Sequence, residues 1–202
     1  MRAFLSAMMM LTIAGCAGVG VVKTSDPTRK LSDAYHLAYE QDRPLIAERL
    51  IVEAKAISEK DNDLLRVGHA LRNYGDLLRS HAIATHENYY RQNGFLDKAV
   101  SYDTRMEHSE RYFRKALEVY IQAEKGLLAD GKYDALSNLY FNTAYVLCEL
   151  EHCDRSCEYF DKAIAAHEKN VELNPAKSQF HGDQFESVLE QFRAAKTKAG
   201  CV

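Results

Sequence analysis

The stretch from Ala135 to Pro175, ALSNLYFNTAYVLCELEHCDRSCEYFDKAIAAHEKNVELNP, decides the fold. Leu136, Leu139, Tyr140, Thr143, Ala144, Leu147 and Leu150 return at steps of three and four residues, the spacing that lines one face of an α-helix. Glu151, His152 and Asp154 interrupt this stripe. A second stripe then runs through Tyr159, Phe160, Ala163, Ile164, His167 and Val171 to a stop at Asn174-Pro175. Two amphipathic helices joined by a tight bend are expected, with small Ala144, Ser156 and Ala163 where they approach and Phe160 filling the space between them.

The same spacing extends in both directions. Leu31, Ala34, Tyr35, Leu37 and Ala38 predict a first helix from about Lys30 to Gln41-Asp42. Asp42 is placed to cap a second helix, with Pro44 in its first turn and Leu45, Ile46, Leu50, Ile51, Ala54 and Ile57 buried. Asn62-Asp63 opens a third, carrying Leu64, Val67, Gly68, Leu71, Tyr74, Gly75, Leu78 and Ala82. Continued to about Gln92, it would be roughly 45 Å long. Asn93-Gly94 can end it, and 95–104 reads as a short helix or an ordered loop. From Arg105 a further helix presents Tyr112, Phe113, Ala116, Leu117, Tyr120 and Ile121 and stops at Asp130-Gly131. Beyond a loop at 176–182, Asp183 begins a last helix with Phe185, Val188, Leu189, Phe192 and Ala195 on one face and Glu186, Glu190, Arg193 and Lys196 on the other. No alternation of period two is sustained, so the expected class is all-α.

A chain of 202 residues fits one domain. The net charge of -3 and pI near 6.2 argue against a generally basic nucleic-acid binder. Arg2 followed by the apolar run Phe4 to Ile13 is too short to span a bilayer and reads as a signal peptide over residues 1–15. At its end Ile13-Ala14-Gly15-Cys16 resembles the lipobox of bacterial lipoproteins. That resemblance implies that Cys16 is lipidated and becomes the new N-terminus. Ala17, where Asp would retain the protein at the inner membrane, implies an outer-membrane anchor facing the periplasm. Residues 16–29 are then a tether and 30–202 the helical domain.

Within that domain the hairpins look alike. Gly75 and Ala144 each precede a leucine by three residues, and Tyr112-Phe113 with Ala116-Leu117 parallels Tyr159-Phe160 with Ala163-Ile164. The chain here resembles the tetratricopeptide repeat, whose aromatic, small, large, small, aromatic and small positions fall on Tyr140, Ala144, Leu147, Ser156, Phe160 and Ala163. It departs from the family in its late proline, Pro175, and in about twenty extra residues between the helices of the earlier unit. The resemblance implies a short solenoid with a C-terminal capping helix and a groove, lined by the first helices, that accepts a peptide or a partner helix. Carried over by register, the partner-binding positions are His69, Arg72, Asp76 and Arg79, with Asn138, Phe141 and Tyr145 from the later unit. The competing assignment puts Arg72 and Arg79 on a solvated face and Phe141 and Tyr145 in the core of an ordinary helical bundle.

Export would place Cys148, Cys153, Cys157 and Cys201 in an oxidising compartment. Cys148 and Cys153 flank the bend and are expected to pair. A last helix running back antiparallel brings Cys157 opposite Cys201. Cys153 with Cys201 is the competing pairing, and four free thiols remain open.

The eight histidines are scattered, His81 and His86 being five apart rather than the four that would align two ligands on a helix. No GxSxG, HExxH or glycine-rich phosphate loop is present, so no catalytic residue, metal or cofactor is expected. The resulting expectation is a lipid-anchored envelope scaffold or assembly factor. By resemblance its partners are pilus, secretion or outer-membrane assembly components, or wall enzymes. The alternative is a periplasmic module for a small ligand or envelope polymer. The irregular insertion from His81 to Glu107 is a candidate source of specificity.

Overall fold

The computed structural model describes residues 24–175 and 187–201. The signal peptide, Cys16, most of the tether, and Asp183 with Phe185 at the expected start of the last helix lie outside the described residues. The described chain is all-helical and contains no strand. Its elements are α1 (Pro27–Tyr39), α2 (Pro44–Lys60), α3 (Leu64–Arg79), α4 (His81–Thr85), α5 (Glu87–Asn93), α6 (Arg105–Ala129), α7 (Tyr133–Glu149), α8 (Cys153–Leu173) and α9 (Val188–Lys198).

Four of the helix junctions, α1–α2, α2–α3, α6–α7 and α7–α8, use one recurring turn. Asp42, Asn62, Gly131 and Glu151 each adopt positive φ, between 50° and 63°, two residues before the next helix begins. Just beyond each of them the chain bonds back into the finished helix, from Arg43 N to Leu37 O at 2.8 Å, Asp63 N to Ser58 O at 2.9 Å, Lys132 N to Leu127 O at 3.0 Å and His152 N to Leu147 O at 2.8 Å. This is the hydrogen bond that closes a helix around a left-handed residue, satisfying carbonyls that have no partner inside it. Asp42 therefore ends α1 instead of capping α2, whose N-cap is Arg43. Asp63 does cap α3, accepting from Arg66 N at 3.0 Å.

Two boundaries differ from the sequence reading. Asp26 accepts from Thr28 N at 2.9 Å and Pro27 occupies the first helical position, so α1 starts inside the expected tether. The single long third helix is broken at Ser80. Its backbone turns extended (ψ 154°) and its hydroxyl caps α4 through Ile83 N at 3.3 Å. At 16 residues, α3 is accordingly about 24 Å long.

The hairpins α1/α2, α3/α6 and α7/α8 follow one another, with α2 packed on α3 and α6 on α7. The first helices also touch in series, α1 on α3 and α3 on α7, while α9 lies on α8. Helix α3 joins the two cores. Its Tyr74, Leu77 and Leu78 pack with α1, α2 and the insertion, and its Val67 and Leu71 with α6, α7 and α8. Close approach of α6 depends on two glycines one heptad apart. A Cβ at Gly68 would stand 2.4 Å from the Tyr120 ring, and one at Gly75 would stand 2.9 Å from the Phe113 ring. The insertion is pinned by buried Glu48, which accepts from Tyr74 Oη at 2.6 Å and Leu96 N at 2.7 Å.

Candidate functional site

The first helices α1, α3 and α7 share one open face, and there the structure has a cavity of about 750 Å³. Thr28, Leu31 and Tyr35 form its α1 side, Arg66, His69, Arg72 and Asn73 its α3 side, and Asn138, Phe141 and Asn142 its α7 side. His167 and Asn170 of α8, with Val188, Gln191 and Phe192 of α9, close the end. Phe192 is the one buried residue of α9, and it stacks on Phe141 with ring centroids 4.8 Å apart. The volume falls in the range of pockets that enclose small ligands or short segments of chain.

Arg72 and Asp76 are paired with each other at this face, whereas the exposed Asp134 carboxylate lines the cavity with no ion pair among the described residues. Arg72 Nε lies 3.5 Å from Asp76 Oδ2, and Arg72 Nη1 donates to Asn142 Oδ1 at 2.7 Å. Asp76 also accepts from the Tyr145 hydroxyl at 2.9 Å, and the guanidinium lies 5.1 Å from the Tyr145 ring centroid. Burial is the largest single influence on Arg72 and works against its charge, but Asp76 together with Tyr120, Tyr145 and Tyr39 outweighs it and raises the guanidinium's pKa. Burial likewise pushes Asp76 up, with Arg72 and Tyr145 opposing. His69 Nδ1 shares a hydrogen bond with Tyr120 Oη at 2.8 Å. Burial, then Arg72 beside it, pushes His69 down to about 3, so the imidazole is neutral at ordinary pH. Burial also lowers His167.

Of the positions expected from register, His69, Arg72, Asn138 and Phe141 line the cavity. Asp76 and Tyr145 stand next to it and hold Arg72 in place. Arg79 does not line it. Its Nη1 meets Glu149 Oε2 at 2.5 Å, its Nε donates to Ser109 Oγ at 3.0 Å, and its guanidinium covers the Phe113 ring, so it clamps α3 to α6 and α7. Asn73, Asn142, Asn170, Gln191 and the α1 residues were missed. The spacing of four between Asn138 and Asn142 was the signal available for one of them. No residue of the insertion lines the cavity, because the insertion packs against α2, α3 and α6 instead.

The cysteines gather at the α7/α8 bend. Cys157 and Cys201 form a disulfide that ties α8 to the chain three residues beyond the end of α9. Cys148 and Cys153 are free thiols, which corrects the expected pairing. Each is turned toward another partner, Cys148 Sγ lying 3.2 Å from Ser156 Oγ and Cys153 Sγ 3.7 Å from Cys148 O. The interaction with Cys148, then burial, raises the Cys153 thiol to about 11. Among the described residues no set of three or more His, Cys, Asp or Glu side chains is placed to hold a metal ion, and no helix is long and apolar enough to cross a membrane. No protein-family model matches the chain, and no curated protein or solved structure matches it either.

Proposed function

We propose that this protein is a cell-envelope binding module, not an enzyme, which is held at a membrane by lipid on Cys16 and takes a protein partner in the cavity between its first helices. In this reading the three hairpins are worn tetratricopeptide-like units and α9 is their cap. Support comes from the serial contact of α1, α3 and α7, and from the repeated placement of a small residue opposite an aromatic one, as at Gly75 and Phe113. The observation that carries the function is the cavity itself, which four of the expected partner-binding residues line. A pocket of this size also suits the second reading, a small ligand or a length of envelope polymer.

A photo-crosslinking residue placed at Asn138, on the open face, and at Ile121, 55% exposed on α6, tests the proposal in cells. A defined protein adduct is expected from Asn138 and none from Ile121. Equal labelling at both positions, or retention of a small molecule in native mass spectrometry with no protein adduct, overturns it. Incorporation of labelled palmitate that is lost in Cys16→Ser tests the anchor.

A further inference from the structure

We infer that the end of the helical domain from which the tether leaves is a membrane-contact surface. Exposed Leu64, Leu128, Val171 and Leu173 rest in the interfacial layer of a phospholipid bilayer, and the molecule stands with its insertion turned away. The inference rests on the lipid-anchor reading above and adds to it a face of the folded domain and an orientation.

Antiparallel packing gathers these residues. Gly68 lies against the Tyr120 ring and Gly75 against the Phe113 ring, so the start of α3 is beside the end of α6. Leu64 continues the stripe of Gly68, Leu71 and Gly75 toward α6, and Leu128 falls in the last turn of α6. In the next hairpin Tyr140 meets Tyr159 and Phe141 meets Phe160. By that register α8 runs past the start of α7 and carries Val171 and Leu173 to the same end. The four side chains are between 37% and 52% exposed, and half-buried Leu127 and Tyr133 belong to the same end. Large apolar side chains left open together are the mark of a contact surface.

The occupant follows from where the tether is fixed. Arg66 Nε donates to Thr28 Oγ1 at 3.0 Å, so α1 begins level with α3 and the tether leaves from the apolar end. Eight residue steps separate Cys16 from Thr24, and a fully extended chain of that length spans at most about 28 Å. Met106, at the opposite end of α6, lies about 33 Å from Leu128 along the helix. A molecule standing on that opposite end would hold Thr24 farther from the bilayer than the tether reaches. With the apolar end down the tether reaches easily, and the leucines meet the headgroup and acyl boundary, where apolar side chains are buried.

Three cations at this end are each matched by a carboxylate, Arg66 by Asp63, Lys132 by Asp130 and Lys169 by Glu172. These positions offer balanced charge to anionic headgroups, so the contact is apolar and insensitive to salt.

The chain contains no tryptophan, so a single introduced one reports on its own position. Leu128→Trp, Leu173→Trp and, at the far end of α6, Met106→Trp are made in the full lipidated chain. Each is reconstituted in vesicles of phosphatidylethanolamine with phosphatidylglycerol, with and without bromine on the acyl chains. Bromine is expected to quench Leu128→Trp and Leu173→Trp at least about twofold and to leave Met106→Trp unchanged, alike at about 50 and about 500 mM salt. Equal quenching at both ends, or quenching at Met106→Trp alone, overturns the inference. So does a blue shift of Leu128→Trp that grows with protein concentration without quenching, which assigns the patch to a second copy of the chain. Palmitate labelling separates this inference from the anchor reading. A palmitate-bearing chain with no quenching at the apolar end keeps the anchor and loses the contact surface. A chain without palmitate loses the anchor; added to the same vesicles, it keeps the contact surface if Leu128→Trp is still quenched, and otherwise both fall.

Discussion

Replacing Cys157 and Cys201 together by serine should release α9 while leaving the rest of the fold in place. The disulfide closes a loop of 44 residues, and the chain-entropy relation for a loop of that length gives about 4 kcal/mol at 25 °C. Helix α9 has little else to hold it. With 11 residues it is shorter than isolated helices need to be to persist in water. Burial of Phe192 contributes about 2–3 kcal/mol. The Lys196 pair with Asp161, whose carboxylate is 61% exposed, contributes about 1 kcal/mol at most. Opposing these is backbone ordering at about 1–2 kcal/mol per residue, only partly offset by the helix's own hydrogen bonds.

Docking of α9 without the disulfide is therefore near balance, and the covalent tie decides it. Losing about 4 kcal/mol shifts the docking equilibrium about a thousandfold. Hydrogen exchange read by mass spectrometry should show the amides of Val188–Lys198 losing about that factor of protection, with α3, α6 and α7 within a few-fold of the parent protein. The same variant should give less protein adduct from the crosslinker at Asn138, because Val188, Gln191 and Phe192 leave the cavity wall. A fall in α9 protection of less than about tenfold would refute the reasoning, since stacking of Phe192 on Phe141 would then suffice alone.

Gly68→Ala should destabilise by about 1–3 kcal/mol in urea unfolding, because its Cβ meets the buried Tyr120 ring at 2.4 Å and the helix-propensity gain of about 1 kcal/mol is smaller than the strain. An unchanged or higher midpoint counts against that packing. Glu151→Gly should stabilise by about 1 kcal/mol, because a residue with a Cβ is held there at φ 63°; a lower melting temperature would show that its side chain compensates for the strain. His69 should make the fold acid-sensitive. Its folded pKa of about 3 lies below the usual 6.5, so below about pH 6.5 the unfolded chain binds a proton that the folded one does not. Stability is then full above that pH and falls by up to about 1.4 kcal/mol per pH unit toward pH 3. His69→Gln should flatten that slope in urea unfolding followed across pH, and parallel slopes for the two proteins would remove His69 as the cause.

What could be read from the sequence was what local periodicity controls. The faces of α3 and α7 follow from spacings of three and four, while the choice of His69, Arg72, Asn138 and Phe141, which line the cavity, came from the register of the tetratricopeptide resemblance. Asn62 and Gly131 are residue types that tolerate positive φ, so their turns were readable. Asp42 and Glu151 adopt the same geometry with no such signature at Glu151 and with a misleading one at Asp42, a common helix cap. Ser80 broke α3 unnoticed because the apolar stripe continues past it to Ala82, and a serine shows itself as a cap only once its backbone is seen to be extended.

The character of the site was hidden for a different reason. Arg72 and Asp76 are four apart, and their pairing is visible in the chain. Arg79 and Glu149 are 70 residues apart and meet only because α3 and α7 lie side by side. Reading the arginines as recognition groups treats their charges as available to a partner. The fold has already matched the charges of Arg72 and Arg79, with Asp76 and with Glu149.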